Sequence, residues 1–467
     1  MELTTTVLFS LAGAIAVGLG LLLAFLRNPK VGLVVVGIML FVTTLGLTKV
    51  GQFQFARTWL APLQQNRTPL VAAAAVLLML GTLVHLGRLS IRSVPLQGLF
   101  MLFIGLYAGL MRFGHEGLGD GIATMGLTTL IVAPMLLLIP GLLREWSDFE
   151  ALLRTLVLTM IMWSAAVLVQ VFINREMLFT TTGARSAYRF SGLTANPQAA
   201  SILLSVTAFS ALWIVLNTKA QRARVLAVGL VGASLIMLAW TGSRTGVAMF
   251  GLGFIAVLYA RVGRSIFLLP VIAVVGYVLY NIAVNVLDIE MGLSRLASTE
   301  DTRSHVWLRL WEAALREPLV GVGVDDAEAS ENGYLYGFAS YGVGMLLLLL
   351  AMTFVSGVQM LRLLRARSGL PVEGRALVDL VLGFNAAYFA GSMFEGYMIA
   401  RISAMNILWL LFAAIGSRIL EKAAEDRSLG ESDEAPGYGS SEDLAYGSIP
   451  YGEDLPEAPP GGRPAAS

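Results

Sequence analysis

The sequence predicts an all-α protein: a polytopic transmembrane helical bundle of about 12–13 spans with one large extracytoplasmic loop. Three observations carry this. Of the 467 residues, 56% are hydrophobic and 13% charged, with a mean hydropathy of +0.74. Apolar segments of roughly 18–22 residues recur along the chain, the length needed to cross a hydrocarbon core. They are continuously apolar rather than alternating, so they satisfy their backbone groups as helices and not as barrel strands. One polar interval, from Asp288 to Gly344, stands apart from the short gaps elsewhere, and ten of the chain's 31 carboxylates lie between Asp288 and Glu331.

Candidate spans fall at 7–26, 31–48, 69–87, 94–111, 121–143, 153–173, 199–217, 223–241, 245–262, 265–284, 339–361, 376–394 and 400–417. The first has neither a basic leader nor a small-residue cleavage site, and reads as a permanent span. Alternate gaps are short and basic, among them RNPK (27–30), NTKAQRAR (217–224) and SRILEK (417–422). The remaining gaps, including 174–198, 285–338 and 395–401, are longer or mixed in sign. The positive-inside rule places the basic gaps in the cytoplasm and the large loop outside. The expected divisions are N-terminal helices (1–173), helices with outer-face arginine motifs (174–284), the loop (285–338), C-terminal helices (339–420) and an acidic tail (421–467). From Glu421 onward there are 11 acids and 3 bases, a charge of −8 hidden inside the total of +1. Low hydrophobicity and excess charge predict that this tail is disordered and cytoplasmic.

The chain has no cysteine and three histidines, His85, His115 and His305. Disulfides and thiolate sites are excluded, and the histidines are too scattered for a metal cluster. No metal, cofactor or nucleic acid is expected.

A charge held at the edge of the hydrocarbon is costly and marks a candidate site. Three outer stretches qualify. In the first, Arg189 precedes the turn Ser191–Pro197, and Asn196-Pro197 opens the next span. In the second, Thr241-Gly242-Ser243-Arg244-Thr245-Gly246 pins Arg244 between two spans, with hydroxyls and glycines that favour an anion. Two arginines facing one compartment can clamp a phosphate or diphosphate; either can equally snorkel to lipid headgroups. The third is the loop, with Arg303, His305 and Trp307 on an amphipathic run over 301–317, then Glu331, Asn332 and Tyr334. Helical spacing puts Arg303 and Trp307 on one face, where the indole is either a packing anchor or a platform for a sugar ring.

Arg-Phe-x-Gly-x-x-x-Asn-Pro at 189–197, Ser-Arg-x-Gly at 243–246 and Arg-x-x-x-Trp…Ala-Leu…Pro-Leu-x-Gly-x-Gly at 303–323 resemble, in order and spacing, the O-antigen ligase/polymerase superfamily. The resemblance covers about 185–345. It implies a metal-independent, inverting membrane glycosyltransferase of GT-C-like fold in a bacterial inner membrane. The donor would be a glycan on undecaprenyl diphosphate, the acceptor a saccharide or glycolipid, and the active site would face the periplasm. Arg189 and Arg244 would hold the donor diphosphate and Arg303 the donor or acceptor, with His305, Trp307, Asn196, Asn332 and Tyr334 as further binding residues. Ligases of this family carry a histidine immediately before the loop asparagine. This chain has Glu331 there, which a carboxylate's basicity allows to serve as the general base. The departure shifts weight toward a polymerase or a ligase for another acceptor. The competing expectation is a polytopic transporter of a small anion or lipid-linked sugar, although neither an internal repeat nor deep charges support it.

Overall fold

The computed structural model describes residues 18–50, 53–55, 58–88, 94–182, 187–262, 303–327, 331–399 and 403–433. The start of the expected first span, the expected span at 265–284, loop residues 285–302 and the tail from 434 lie outside the described residues. In chain order the elements are α1 (Gly18–Arg27), α2 (Val31–Thr43), β1 (Thr48–Val50), β2 (Phe53–Phe55), α3 (Ala61–Gln65), α4 (Arg67–Val84), α5 (Leu96–His115), α6 (Leu118–Leu142) and α7 (Trp146–Asn174). There follow β3 (Phe179–Thr182), β4 (Ala187–Phe190), α8 (Pro197–Asn217), α9 (Gln221–Thr241), α10 (Arg244–Val262), α11 (Ser304–Arg316), α12 (Gly333–Tyr341), α13 (Val343–Ala366), α14 (Val372–Ser392) and α15 (Ala404–Asp433). Residues 1–424 form one compact unit; of the second, 425–467, the described part is helical.

The protein is an all-α, multi-pass membrane protein. Eight described helices are long and apolar enough to cross a bilayer: α4 to α9, α13 and α15. The expected spans around α1, α2 and α10 are shorter apolar helices. α14 reaches 21 residues but contains Glu373, Arg375 and Asp379. Glu373 and Arg375 are exposed near its start, and Asp379, buried in the bundle, is gripped by Arg367 through a fork at 2.8 and 3.0 Å. The only described strands form two antiparallel hairpins, β1–β2 and β3–β4.

Burial separates central from peripheral helices. The apolar window of α8 is 78% buried, that of α9 28%. α9 therefore shows its branched residues to lipid, while α8 runs through the middle. Small residues let its neighbours approach closely: a Cβ on Gly246 of α10 would lie 2.5 Å from Ser201 Cβ, and one on Gly253 2.2 Å from the Phe209 ring. Ser205 Oγ donates across the contact to Gly246 O at 2.6 Å.

Long-range contacts define two ends of the bundle. At one, Lys30 pairs with Asp148 (2.6 Å), Trp213 Nε1 donates to Ala376 O (2.7 Å) and Arg418 Nε to Leu143 O (2.9 Å). The basic gaps at 27–30, 217–224 and 417–422 gather here. The other end collects residues 44–47 and 58–65, the β3–β4 hairpin, the α9–α10 turn, α11, α12 and the turn after α14. There α2 stops early because Gly46 N donates to Leu193 O at 2.8 Å, and a Cβ on Gly46 would sit 1.8 Å from Thr194 O.

The expected span 339–361 is two helices. α12 ends at Tyr341, Gly342 adopts φ +77°, and α13 starts anew at Val343. The Pro318–Gly323 turn explains the break, since its backbone docks on the junction. Val343 N donates to Pro318 O (2.8 Å) and Val322 N to Ala339 O (2.8 Å). Gly321 has φ +77°, and its Cβ would lie 2.4 Å from Ser340 C. Both strain and clash oppose a side chain there, so Gly321→Ala is expected to destabilise the protein by about 2 kcal/mol or more, read as a lowered melting temperature in detergent. Within the expected amphipathic run, α11 buries Leu310, Ala313 and Ala314 against Phe338 and Ala339 of α12.

Candidate functional site

The three sequence stretches meet at the loop end. Arg189 lies on β4, opposite Thr180 of β3. It is 4% exposed, and its Nε donates to Thr241 O at 2.7 Å. That carbonyl is available because α9 ends there, with Gly242 at φ +60° as a left-handed cap. Ser243 Oγ accepts from Gly246 N at 3.3 Å and starts α10. Arg244, its first residue, is exposed, and Thr245 is buried.

Arg303, at the start of α11, ties this turn to the segment after α14. Its Nη2 donates to Thr245 Oγ1 (3.0 Å) and to Glu395 Oε1 (3.2 Å), and Nη1 to Phe394 O (3.2 Å). The guanidinium stands 5.0 Å from the Phe394 ring. One turn later, the Trp307 ring lies 6.1 Å from Phe394, and its Nε1 donates to Glu331 O at 3.1 Å. Arg303 and Trp307 thus share Phe394 as a neighbour. The indole anchors the segment that holds Glu331.

Glu395 escaped the sequence reading. It lies in the turn after α14, is 8% exposed, and pairs with Arg303. Burial pushes its carboxyl up to about 7; the nearby Glu331 charge adds to this, while Arg303 and Arg189 oppose it. The signal was present: Phe394-Glu395-Gly396 puts a carboxylate at the outer edge of a span, the same criterion that selects Arg189 and Arg244.

The other expected residues take varied places. Asn332 Oδ1 accepts from Tyr334 N (3.0 Å) and Leu335 N (3.1 Å), so its side chain serves as the N-cap of α12. Tyr334 Oη bonds Thr353 Oγ1 at 2.8 Å, between α12 and α13. Asn196 caps α8 by accepting from Gln198 N at 2.8 Å. His305 is exposed on α11.

Beside the cluster opens a cavity of 380 Å³. Glu395 and Asn196 line it, together with Arg67, Arg112, Tyr336 and Tyr341; Arg189, Arg244 and Glu331 do not. Arg112, late in α5, donates from Nε to Tyr341 Oη (2.9 Å) and pairs with Glu116 (2.8 Å). Burial raises the Tyr341 hydroxyl to about 12, so it stays protonated, and the same effect raises the Glu116 carboxyl. Glu395 is the residue common to the arginine cluster and the cavity. Among the described residues, no group of three or more His, Cys, Asp or Glu side chains is placed to hold a metal ion.

The arrangement offers positive charge for an anionic leaving group, and carboxylates for a proton. No family model matches the chain, and no curated protein matches it either.

Proposed function

We propose that the protein is a metal-independent, inverting membrane glycosyltransferase, GT-C-like in fold, of the O-antigen ligase or polymerase type. It moves a glycan from undecaprenyl diphosphate to a saccharide or glycolipid acceptor at the periplasmic face of a bacterial inner membrane. The observation that carries the reading is the meeting of Arg189, the Ser243–Thr245 turn, Arg303, Glu331 and Glu395 at one end of the bundle. The short basic gaps lie at the opposite end, which supports placing this site outside the cytoplasm.

In the reaction, the acceptor hydroxyl oxygen attacks the anomeric carbon as the bond from that carbon to the diphosphate oxygen breaks. Undecaprenyl diphosphate leaves with the electron pair. Arginines positioned before the reaction stabilise the charge that develops on it. Arg244 is exposed enough to reach such a group, while Arg189 holds the end of α9 in place beside it. The hydroxyl proton passes to a carboxylate. Glu395 is better suited to this than Glu331, since it lines the cavity and its proton affinity is matched to neutral pH. Glu331 then acts through its charge, which helps to raise Glu395.

Glycan profiling of a deletion strain tests the reading, with lipid-linked and surface-attached carbohydrate separated. Accumulated single units on the carrier identify a polymerase, and accumulated long chains on the carrier a ligase. Unchanged pools contradict both.

A further inference from the structure

The cavity contains one positive charge more than its carboxylates match. Arg112 is paired with Glu116, and Glu395 with Arg303. Arg67, which opens α4 and is partly buried, donates from Nη1 to Leu45 O at 3.1 Å. Among the described residues no carboxylate pairs with it. A guanidinium carries five donors in a rigid fork suited to carboxylate or phosphate. Desolvating one without a counter-charge is costly. A cavity of 380 Å³ is within the usual size of a small-ligand site, about 300–1,000 Å³. Its wall also carries the Gln198 amide and the Tyr336 and Tyr341 rings, groups that can hydrogen-bond to and stack on a saccharide.

We propose that this cavity is the acceptor site, and that the acceptor carries an acidic group, a sugar carboxylate or a phosphate, bound by Arg67 beside Arg112. The term acceptor rests on the transfer reading above; the anion site itself does not. Because Glu395 lines the same cavity, a saccharide anchored on Arg67 meets the carboxylate assigned to take its proton. The site is distinct from the Arg189–Arg244 cluster, so one chain holds donor and acceptor anions at different arginines.

The test uses the purified full-length protein in phosphatidylcholine nanodiscs, which present no anionic lipid, with binding measured by calorimetry. The probes are glucuronate, glucose as the neutral comparator, and inorganic phosphate. Glucuronate is expected to bind where glucose at the same concentration does not. Arg67→Gln is expected to weaken it by about tenfold or more, with Arg67→Lys between the two. Phosphate that binds more tightly than glucuronate, with the same loss in Arg67→Gln, identifies the acidic group as a phosphate. Weaker phosphate identifies it as a sugar acid. Arg244→Ala should bind glucuronate as the unaltered protein does. The proposal is overturned if the unaltered protein binds neither anion, or binds glucuronate no better than glucose. It is also overturned if a folded Arg67→Gln binds as before, or if Arg244→Ala removes the binding. No turnover is read, so failure of the glycosyltransferase reading and failure of this site give different results.

Discussion

Glu395→Gln is expected to lower glycan transfer by about 10²–10⁴-fold, the usual contribution of a positioned general base. The amide keeps the shape of the side chain and can still accept from Arg303, so the protein should remain folded. In the unaltered protein, transfer should rise with pH through about 7 as the Glu395 carboxyl ionises. Glu331→Gln has a different expected signature. Removing its negative charge makes Glu395 easier to ionise, so the acidic limb of the profile should move to lower pH with most activity retained. The opposite result, inactive Glu331→Gln and a merely shifted Glu395→Gln, would reassign the base to Glu331.

The same carboxyl links stability to pH. The folded chain keeps its proton up to about 7, whereas the unfolded chain releases it near 4.5. Between those values the folded state binds more protons, so this group's contribution is full below 4.5 and is lost as pH rises to about 7. Glu395→Gln, which does not titrate, should flatten that part of the curve of melting temperature against pH. A curve as steep as that of the unaltered protein would contradict the buried placement of Glu395.

Arg244→Ala is the second large effect. Loss of one preorganised group at a developing oxyanion typically costs about 10²–10³-fold in turnover. Because Arg244 is exposed at the start of α10, melting temperature and membrane abundance should scarcely change. Arg244→Lys should recover part of the activity by restoring charge without the fork. Arg189→Ala is a poorer probe, since it also strips the buried donor from Thr241 O and should lower stability as well. Full transfer by Arg244→Ala at normal protein level would remove this residue from the donor site.

Much of the architecture was legible because lipid imposes a simple rule: long, continuously apolar segments must be helices. The rule fails where protein replaces lipid as the surroundings. α14 carries three charged residues and is enclosed by the bundle, with Asp379 neutralised by Arg367 from the end of α13. It fails also at Gly342, where the Pro318–Gly323 turn docks and splits one apolar stretch into α12 and α13. The two hairpins are too short to show a clear alternation. For the site, Arg189, Arg244 and Arg303 were legible as charges at span edges. The reading of Asn332 and Tyr334 as binding residues ran into a structural competitor, since both are engaged within α12 and its packing on α13. Glu395 carried the same edge-of-span signal but joins the cluster only through tertiary packing, being more than 60 residues from the loop's carboxylates, and Arg67 belongs to the first third of the chain.

The most direct measurement reconstitutes the purified chain in vesicles with a lipid-linked glycan, an acidic saccharide acceptor and EDTA. Undecaprenyl diphosphate and glycosylated acceptor are then quantified together. The two products should appear in equal amounts with the unaltered protein and be lost together in Arg244→Ala. Glycan that crosses the bilayer still attached to its carrier, with neither product formed, would identify a transporter instead.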